Sequence, residues 1–236
     1  MPSIEIVYVC VTKGQHTRDF AARFVASFLR HPPLVPVSLT VACNGGPLDL
    51  ETRLIFQALE SCELWPRAND SSWDLGAYYG RAKATKADML VCLGESVYFH
   101  RGGWMVPMVE FWDELGPGMY GFFSSNYVRA HLNTTGFVIS PQLLLEFPQP
   151  INHPGRYNFE HGQRSFWRYL ASKKIPVGLV TWDGFWPPEK WREPQEILWR
   201  GDQTNLLAWC NHSDKFAYAN PRLRSEWSMN ADRPFK

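Results

Sequence analysis

Charge of one sign is what this chain has least of. Its 24 basic and 23 acidic side chains leave a formal net charge of +1 over 236 residues. A protein that coats duplex nucleic acid carries a basic stripe, so the balance argues against that class and leaves only a local patch open. Metal-cage and disulfide signals are missing as well. Cys10, Cys43, Cys62, Cys92 and Cys210 are odd in number and scattered, with no CxxC and no HExxH spacing. Several sit in apolar, strand-like runs where a free thiol acts as a small buried hydrophobe, and a reducing cytoplasmic setting is expected. No apolar run reaches membrane-spanning length, and no basic segment followed by an apolar one marks the N-terminus as a signal peptide. Linker-like tracts, repeats and low-complexity segments are lacking, so residues 1–236 are expected to form a single domain.

Aromatic residues are abundant by contrast, with 11 Trp in the chain. Surplus aromatic faces suit the stacking of sugars or bases. The stretch from Ala68 to Phe99 organises the rest. A polar turn (Asn69, Asp70, Ser71, Ser72) leads to Asp74, and Leu75, Tyr79 and Ala82 share one helical face. Met89 to Leu93 is continuously apolar and too short for a globular helix, which suits a strand covered on both faces of a parallel sheet. Gly94-Glu95-Ser96 follows directly, so a carboxylate and a hydroxyl emerge at the strand end, the edge where open α/β sheets bind ligands.

Around that centre the chain alternates. Ile4 to Val11 reads as a first strand, ending in Thr12-Lys13-Gly14. A helix follows, carrying Phe20, Phe24 and Phe28, with Thr17 as its cap and His31-Pro32-Pro33 as its stop. Val37 to Ala42 predicts a second strand that stops at Cys43-Asn44-Gly45-Gly46-Pro47. Strand, helix, strand is the opening of a right-handed parallel unit. A second helix carries Leu50, Leu54 and Ile55, and Cys62 to Trp65 suits a short strand. Beyond the central stretch, a helix carries Trp104, Met108 and Trp112, and Met119–Phe123 and Thr135–Ile139 read as strands. A short helix at Leu143–Leu145, an amphipathic helix over Phe159–Ser172 and a strand at Val177–Thr181 follow. Residues 182–200 form an aromatic-rich loop expected to act as a lid. Gly201-Asp202-Gln203 is expected to open a helix through Trp209, and residues 213–236 to wrap the surface as a polar tail.

Several pieces together resemble glycosyltransferases of the GT-A fold, most closely the rhamnan-synthesis type related to the family-2 group. Trp73-Asp74-Leu75-Gly76-Ala77-Tyr78 is similar to that family's Asp-x-Gly-Ala-Tyr segment. LVCLGESVYF at 90–99 resembles its strand ending in Asn-Asp-Ser-Val-Tyr, with Gly94 and Glu95 where Asn and Asp usually stand. HLNTTGFVIS at 131–140 resembles its His-hydrophobic-x-Ser-x-Phe strand, and Phe159-Glu160 its aromatic-acid pair. Gly201-Asp202-Gln203-Thr204-Asn205-Leu206 is similar to an Asp-Gln-x-x-x-Asn region of other GT-A transferases. The resemblance implies an α/β domain of GT-A type with a mostly parallel central sheet flanked by helices. It implies transfer of a sugar, with inversion, from a nucleotide-sugar donor to a glycan, protein, lipid or nucleic-acid acceptor. Most GT-A enzymes hold a metal and the donor diphosphate with Asp-x-Asp. Here only Glu95 remains of it, so a role for Mn²⁺ or Mg²⁺ rests on one carboxylate.

Each candidate residue has a plainer reading beside the functional one. Thr12 and Lys13, with Asn44 at the second strand end, suit the nucleotide, although Lys13 equally suits a solvated loop. Asp74, followed by Gly76, suits the base or ribose through its two acceptor oxygens, or a helix cap. Gly94, Glu95 and Ser96 form the donor-sugar edge. Glu95 is the candidate metal ligand, against a solvated turn carboxylate, and Ser96 is the more turn-like of the pair. Glu160 is the first candidate for the catalytic base and Asp202 the second; a helix start, stabilised by the dipole, explains Glu160 equally well. His131 and His212 suit a metal shell or ordinary packing. Trp182, Trp186 and Trp191 suit an acceptor platform, or a loop pinned to the core by its rings. Three rivals stand beside the transferase reading: a non-catalytic GT-A domain that binds a glycan or nucleotide, a transferase that modifies nucleic acid through a flipped base, and a nucleotidyltransferase on a related strand order.

Overall fold

Isoleucine and valine dominate the first strand, β1 (Ile4–Val11), and its burial explains why the run is apolar but for Glu5. Ile4, Ile6, Tyr8 and Cys10 face one apolar layer, while Val7 and Val9 face the other. A strand covered on both sides has no solvent face to mark with polar residues. The computed structural model describes residues 1–68, 73–126, 129–148, 153–193 and 197–232; the polar turn at 69–72 lies outside them. The chain continues through α1 (Thr17–Arg30), β2 (Ser38–Asn44), α2 (Leu50–Phe56), β3 (Cys62–Arg67), α3 (Trp73–Ala82) and β4 (Met89–Leu93). β1 pairs in parallel with β2 on one side and with β4 on the other, and β3 continues beyond β2.

The second half is more mixed. It runs α4 (Val106–Leu115), β5 (Met119–Gly121), β6 (Ser124–Ser125), β7 (His131–Leu132), β8 (Gly136–Ile139), α5 (Pro141–Leu145), α6 (His153–Glu160) and α7 (Phe166–Ser172). Then come β9 (Val177–Thr181), β10 (Gly184–Trp186), α8 (Asn211–Ala217) and α9 (Pro221–Asp232). The main sheet has eight strands in the order β10-β9-β5-β8-β4-β1-β2-β3. β8 and β10 run against the other six, so the sheet is mostly parallel and flanked by helices, as expected. β6 and β7 pair separately as a small ribbon. Strand order reverses between β1 and β4, and such a reversal opens a crevice at the carboxyl ends of the strands.

Five expectations are corrected or refined. The helix expected over 159–172 is two helices, because the chain turns after Glu160 and restarts at Phe166, stacking Phe159 on Phe166 with ring centroids 4.9 Å apart. Gly201 does not open a helix. Trp199, Gly201 and Gln203 all take positive φ, and the chain is then held as isolated bridges, Leu206 to Thr181 and Trp209 to Tyr98. The aromatic stretch after Trp182 is partly regular: β10 folds back on β9, and Trp191 is 1% exposed. The tail carries two helices, α8 and α9, and Trp227 packs against Trp199 and Phe216. Thr17 also acts otherwise than as a cap, since its hydroxyl ties the preceding loop through Val11 O and Gly14 O. All five cysteines are free and four are buried. No helix among the described residues is long and apolar enough to cross a membrane.

Candidate functional site

At the β1/β4 reversal the strand ends open into a cleft of about 680 Å³. Val9 and Val11 of β1, Asn44 of β2, Trp73 and Asp74 at the start of α3, and Gly94, Glu95 and Ser96 after β4 line it. Thr135, Arg156 of α6, and Asn211 and His212 of α8 complete the wall. Two glycines stand at close approaches beside the cleft, and at Gly45 the backbone itself requires glycine. Gly45 has φ +111°, and a Cβ there would lie 2.6 Å from Thr12 Oγ1. A Cβ on Gly94 would meet Thr135 Cγ2 at 3.2 Å. Trp73 is a non-glycine residue at φ +54° with 52% of its surface exposed, and such left-handed backbone, costing about 1–3 kcal/mol, gathers at functional sites.

The turn carrying Glu95 and Ser96 is held from below. Tyr8 Oη donates to Glu95 O at 2.5 Å, and Arg23 Nη2 donates to Ser96 O at 2.9 Å. Arg23 also pairs with Asp214 of α8 at 2.5 Å, and Ser96 Oγ donates to Asn211 Oδ1 at 3.1 Å. A strand turn, a helix and the C-terminal segment are thereby locked around one edge of the cleft. Tyr8→Phe removes a buried donor and strands a carbonyl, so a loss of about 1–3 kcal/mol in unfolding free energy is expected from urea denaturation. An unchanged midpoint would show that this hydroxyl does not anchor the turn.

Two carboxylates share the cleft, and both titrate high. Burial pushes Asp74 up, Glu160 adds to the rise, and Arg156, whose Nη2 lies 3.6 Å from Asp74 Oδ2, opposes it. Burial likewise raises Glu95, a backbone hydrogen bond at Val11 opposes, and the charge of Asp74 raises it further. Burial lowers His212, with Glu160 opposing and Lys215 and Arg156 adding. Its imidazole is therefore neutral near neutral pH, able to accept a proton.

The site expected from the sequence is brought together in part. Asn44, Asp74, Gly94, Glu95 and Ser96 all line the cleft. The Asn44 side chain also braces it, donating from Nδ2 to Trp73 O at 3.0 Å and accepting from Arg67 Nη1 at 2.6 Å. Thr12 stands behind it, its hydroxyl on Asn44 O at 3.2 Å. Gly76 lies within α3 and Lys13 on an exposed loop, and neither is in the lining. Glu160 is the last residue of α6 rather than the first of a helix, so the dipole argument for it is reversed. It sits behind the cleft wall, Oε1 accepting from Thr134 N at 2.9 Å and Oε2 lying 3.2 Å from His161 Nε2. Burial would raise it, but the His161 hydrogen bond, His131 and the Thr134 N–H outweigh burial and hold it at about 2. A carboxylate so held accepts a proton poorly.

Asp202 is exposed and away from the cleft lining, bound to Thr204 N at 2.9 Å and to its hydroxyl at 2.6 Å. None of the three tryptophans lines the cleft. Trp191 is enclosed against Trp167, its Nε1 on Trp186 O at 2.8 Å. Trp186 donates to Thr181 Oγ1 at 3.0 Å, and Trp182 lies under the Arg101 guanidinium at 4.1 Å. Arg156, Thr135 and Asn211 are cleft groups the sequence does not single out, and His212 is read there only as a metal-shell or packing residue. Arg156 carries no motif, and His212 follows a segment whose path depends on long-range packing.

No protein-family profile and no curated protein matches the chain. Among solved structures it is similar to the mannosyltransferase PcManGT from Pyrobaculum calidifontis in complex with GDP-Man and Mn²⁺, at 7% identity and TM-score 0.47, over 64% of this chain and 48% of that one. It is similar to S. aureus TarS 1–349 in complex with UDP at 8% identity and TM-score 0.46, over 60% and 48% of the two chains. The galactosyltransferase LgtC, in complex with donor and acceptor sugar analogues, matches at 12% identity and TM-score 0.44, over 62% and 60%. The chain spans about half the length of these structures, and the likeness is a partial one of fold.

Proposed function

We propose that this chain is a glycosyltransferase that takes a sugar from a nucleotide-sugar donor bound in the cleft and passes it, with inversion, to an acceptor hydroxyl. One observation carries the reading: Asn44, Asp74 and Gly94–Ser96, from separate stretches of chain, meet with Arg156 at the strand-order reversal, where open α/β sheets take nucleotide ligands. In this scheme Asn44 and Asp74 face the nucleoside, and the Arg156 guanidinium faces the diphosphate. Glu95 orients the donor sugar. The acceptor oxygen bonds to the anomeric carbon as the carbon–diphosphate bond breaks, and the acceptor proton passes to neutral His212. Were a Mn²⁺ or Mg²⁺ carried in on the diphosphate, Glu95, the acidic side chain at the end of β4, would be its protein ligand, and the ion would supply charge neutralisation at the leaving group.

The test is a panel of sugar nucleotides, each with and without Mn²⁺, read by thermal shift and by nucleoside diphosphate release. At least one donor should raise the melting temperature by mass action and release nucleoside diphosphate, slowly when water takes the sugar and faster when an acceptor hydroxyl does. Donor binding with no release under any acceptor would favour a non-catalytic binder, and no binding at all would remove the reading. Arg156→Ala should weaken donor binding by roughly 10- to 100-fold, the worth of a charge-assisted contact of about 1.5–3 kcal/mol. Unchanged donor affinity in that variant would take Arg156 out of the site.

A further inference from the structure

A second constellation lies behind the cleft wall. His131 of β7, Glu160 at the end of α6 and His161 just after it each offer one ligand atom, all within 4.8 Å of one another. We propose that His131, Glu160 and His161 form a binding site for a first-row transition-metal ion of the Zn²⁺ class, independent of any nucleotide. The donor set is two imidazoles and a carboxylate, which suits Zn²⁺ and its neighbours and is poorly matched to Mg²⁺ or Ca²⁺. Ligands about 2.1 Å from a tetrahedral centre stand about 3.4 Å apart, so closing this group on an ion takes shifts of about 1 Å.

Three further features support it. His131 Nδ1 is 2.7 Å from Arg129 O. A hydrogen bond from Nδ1 to a carbonyl fixes the tautomer and leaves Nε2 with its lone pair, the usual support behind a metal-bound histidine. Glu160 has Oε1 engaged by the Thr134 N–H and hydroxyl, at 2.9 and 3.4 Å, which orients Oε2 towards the imidazoles. His161 presents Nε2 3.2 Å from Glu160 Oε2, and its Nδ1 is buried with no hydrogen-bond partner among the described residues, so no second partner holds the ring away from the ion position. The two rings stand edge to face with centroids 3.9 Å apart. An ion here would tie α6 to the small β6/β7 ribbon, and α6 also carries Arg156 into the cleft. The rival arrangement is an ion pair, Glu160 with His161, beside a packed His131.

The experiment uses the untagged full chain, stripped with chelator and carrying Cys62→Ser so that the one partly exposed thiol captures no metal. Zn²⁺ is titrated in competition with a chromophoric chelator, and Co²⁺ is titrated by visible absorption, both without nucleotide. One equivalent of tight binding and the intense d–d bands of a low-symmetry Co²⁺ site are expected. His131→Asn and His161→Gln should each weaken Zn²⁺ by at least about 10-fold, since even supporting groups of metal sites cost that much, and should abolish the Co²⁺ bands. Circular dichroism identifies a variant that has lost its fold, and the other is then the one read. Absence of saturable uptake by the parent, or Zn²⁺ affinity unmoved in a folded variant, overturns the site. Neither result bears on sugar transfer, which the donor panel decides.

Discussion

A His212→Gln chain is expected to transfer sugar about 10²- to 10⁴-fold more slowly than the parent, with the donor KM little changed. The argument is one of elimination among groups able to take the acceptor proton. Glu160 is held at about 2 and has both carboxylate oxygens engaged. Asp202 is exposed and lies outside the cleft lining. Asp74 is paired with Arg156 and Glu95 is assigned to the donor sugar; burial raises both, and the charge of Asp74 adds to the rise at Glu95. His212 lines the same cleft, is lowered by burial and so stays neutral. Its ring is steadied by the edge of Trp199, centroids 5.5 Å apart. Glutamine keeps polarity and similar bulk but takes no proton, so the loss should fall on kcat. Turnover within about 3-fold of the parent would exclude His212 as the base, since a working general base is worth at least 10²-fold. Glu95→Gln is the companion variant, and there the loss should fall on donor KM as well.

The sequence made the sheet readable wherever local pattern and tertiary role coincide. β1, β2 and β4 are apolar runs because both faces are covered, and the glycine-carboxylate-hydroxyl turn after β4 is a local signal for a site at a strand end. Asp74 and Asn44 were legible for the same reason, each lying at the start or end of an element. What stayed hidden depends on contacts between distant residues. Arg156 is an ordinary helical arginine until α6 is docked, and His212 reaches the cleft only because Arg23, Ser96 and Asp214 hold α8 there. The aromatic stretch after Trp182 has the composition of a stacking surface. Its rings are instead used by the core, since Trp191 is nearly inaccessible and Trp186 folds back on β9. Composition alone does not separate these outcomes, because burying a large ring with its N–H satisfied serves either end. The helix expected after Gly201 failed because positive φ at Gly201 and Gln203 breaks the turn before it can propagate.

Arg81→Met is expected to lower the unfolding free energy by about 3–5 kcal/mol, the cost of removing one partner from a buried ion pair. Glu5, in the middle of an otherwise apolar strand, is only 4% exposed. Its carboxylate is met by Arg81 Nε at 2.5 Å, Thr40 Oγ1 at 2.7 Å and Thr85 Oγ1 at 2.5 Å. The other end of the guanidinium reaches Glu63 of β3 at 2.7 Å. One arginine in the last turn of α3 therefore ties that helix to β1 and β3, the elements that place Asp74 and Asn44 at the cleft. Methionine retains most of the packed stem and leaves the Glu5 charge with two hydroxyls in a desolvated place. The damage should thus come from the stranded carboxylate rather than from lost volume. Adding Glu5→Gln separates the two causes. If charge is responsible, the double variant recovers much of the loss, and the coupling from a double-mutant cycle exceeds about 1 kcal/mol. If the two losses simply add, packing carries the effect and the buried pair contributes little to holding α3 on the sheet.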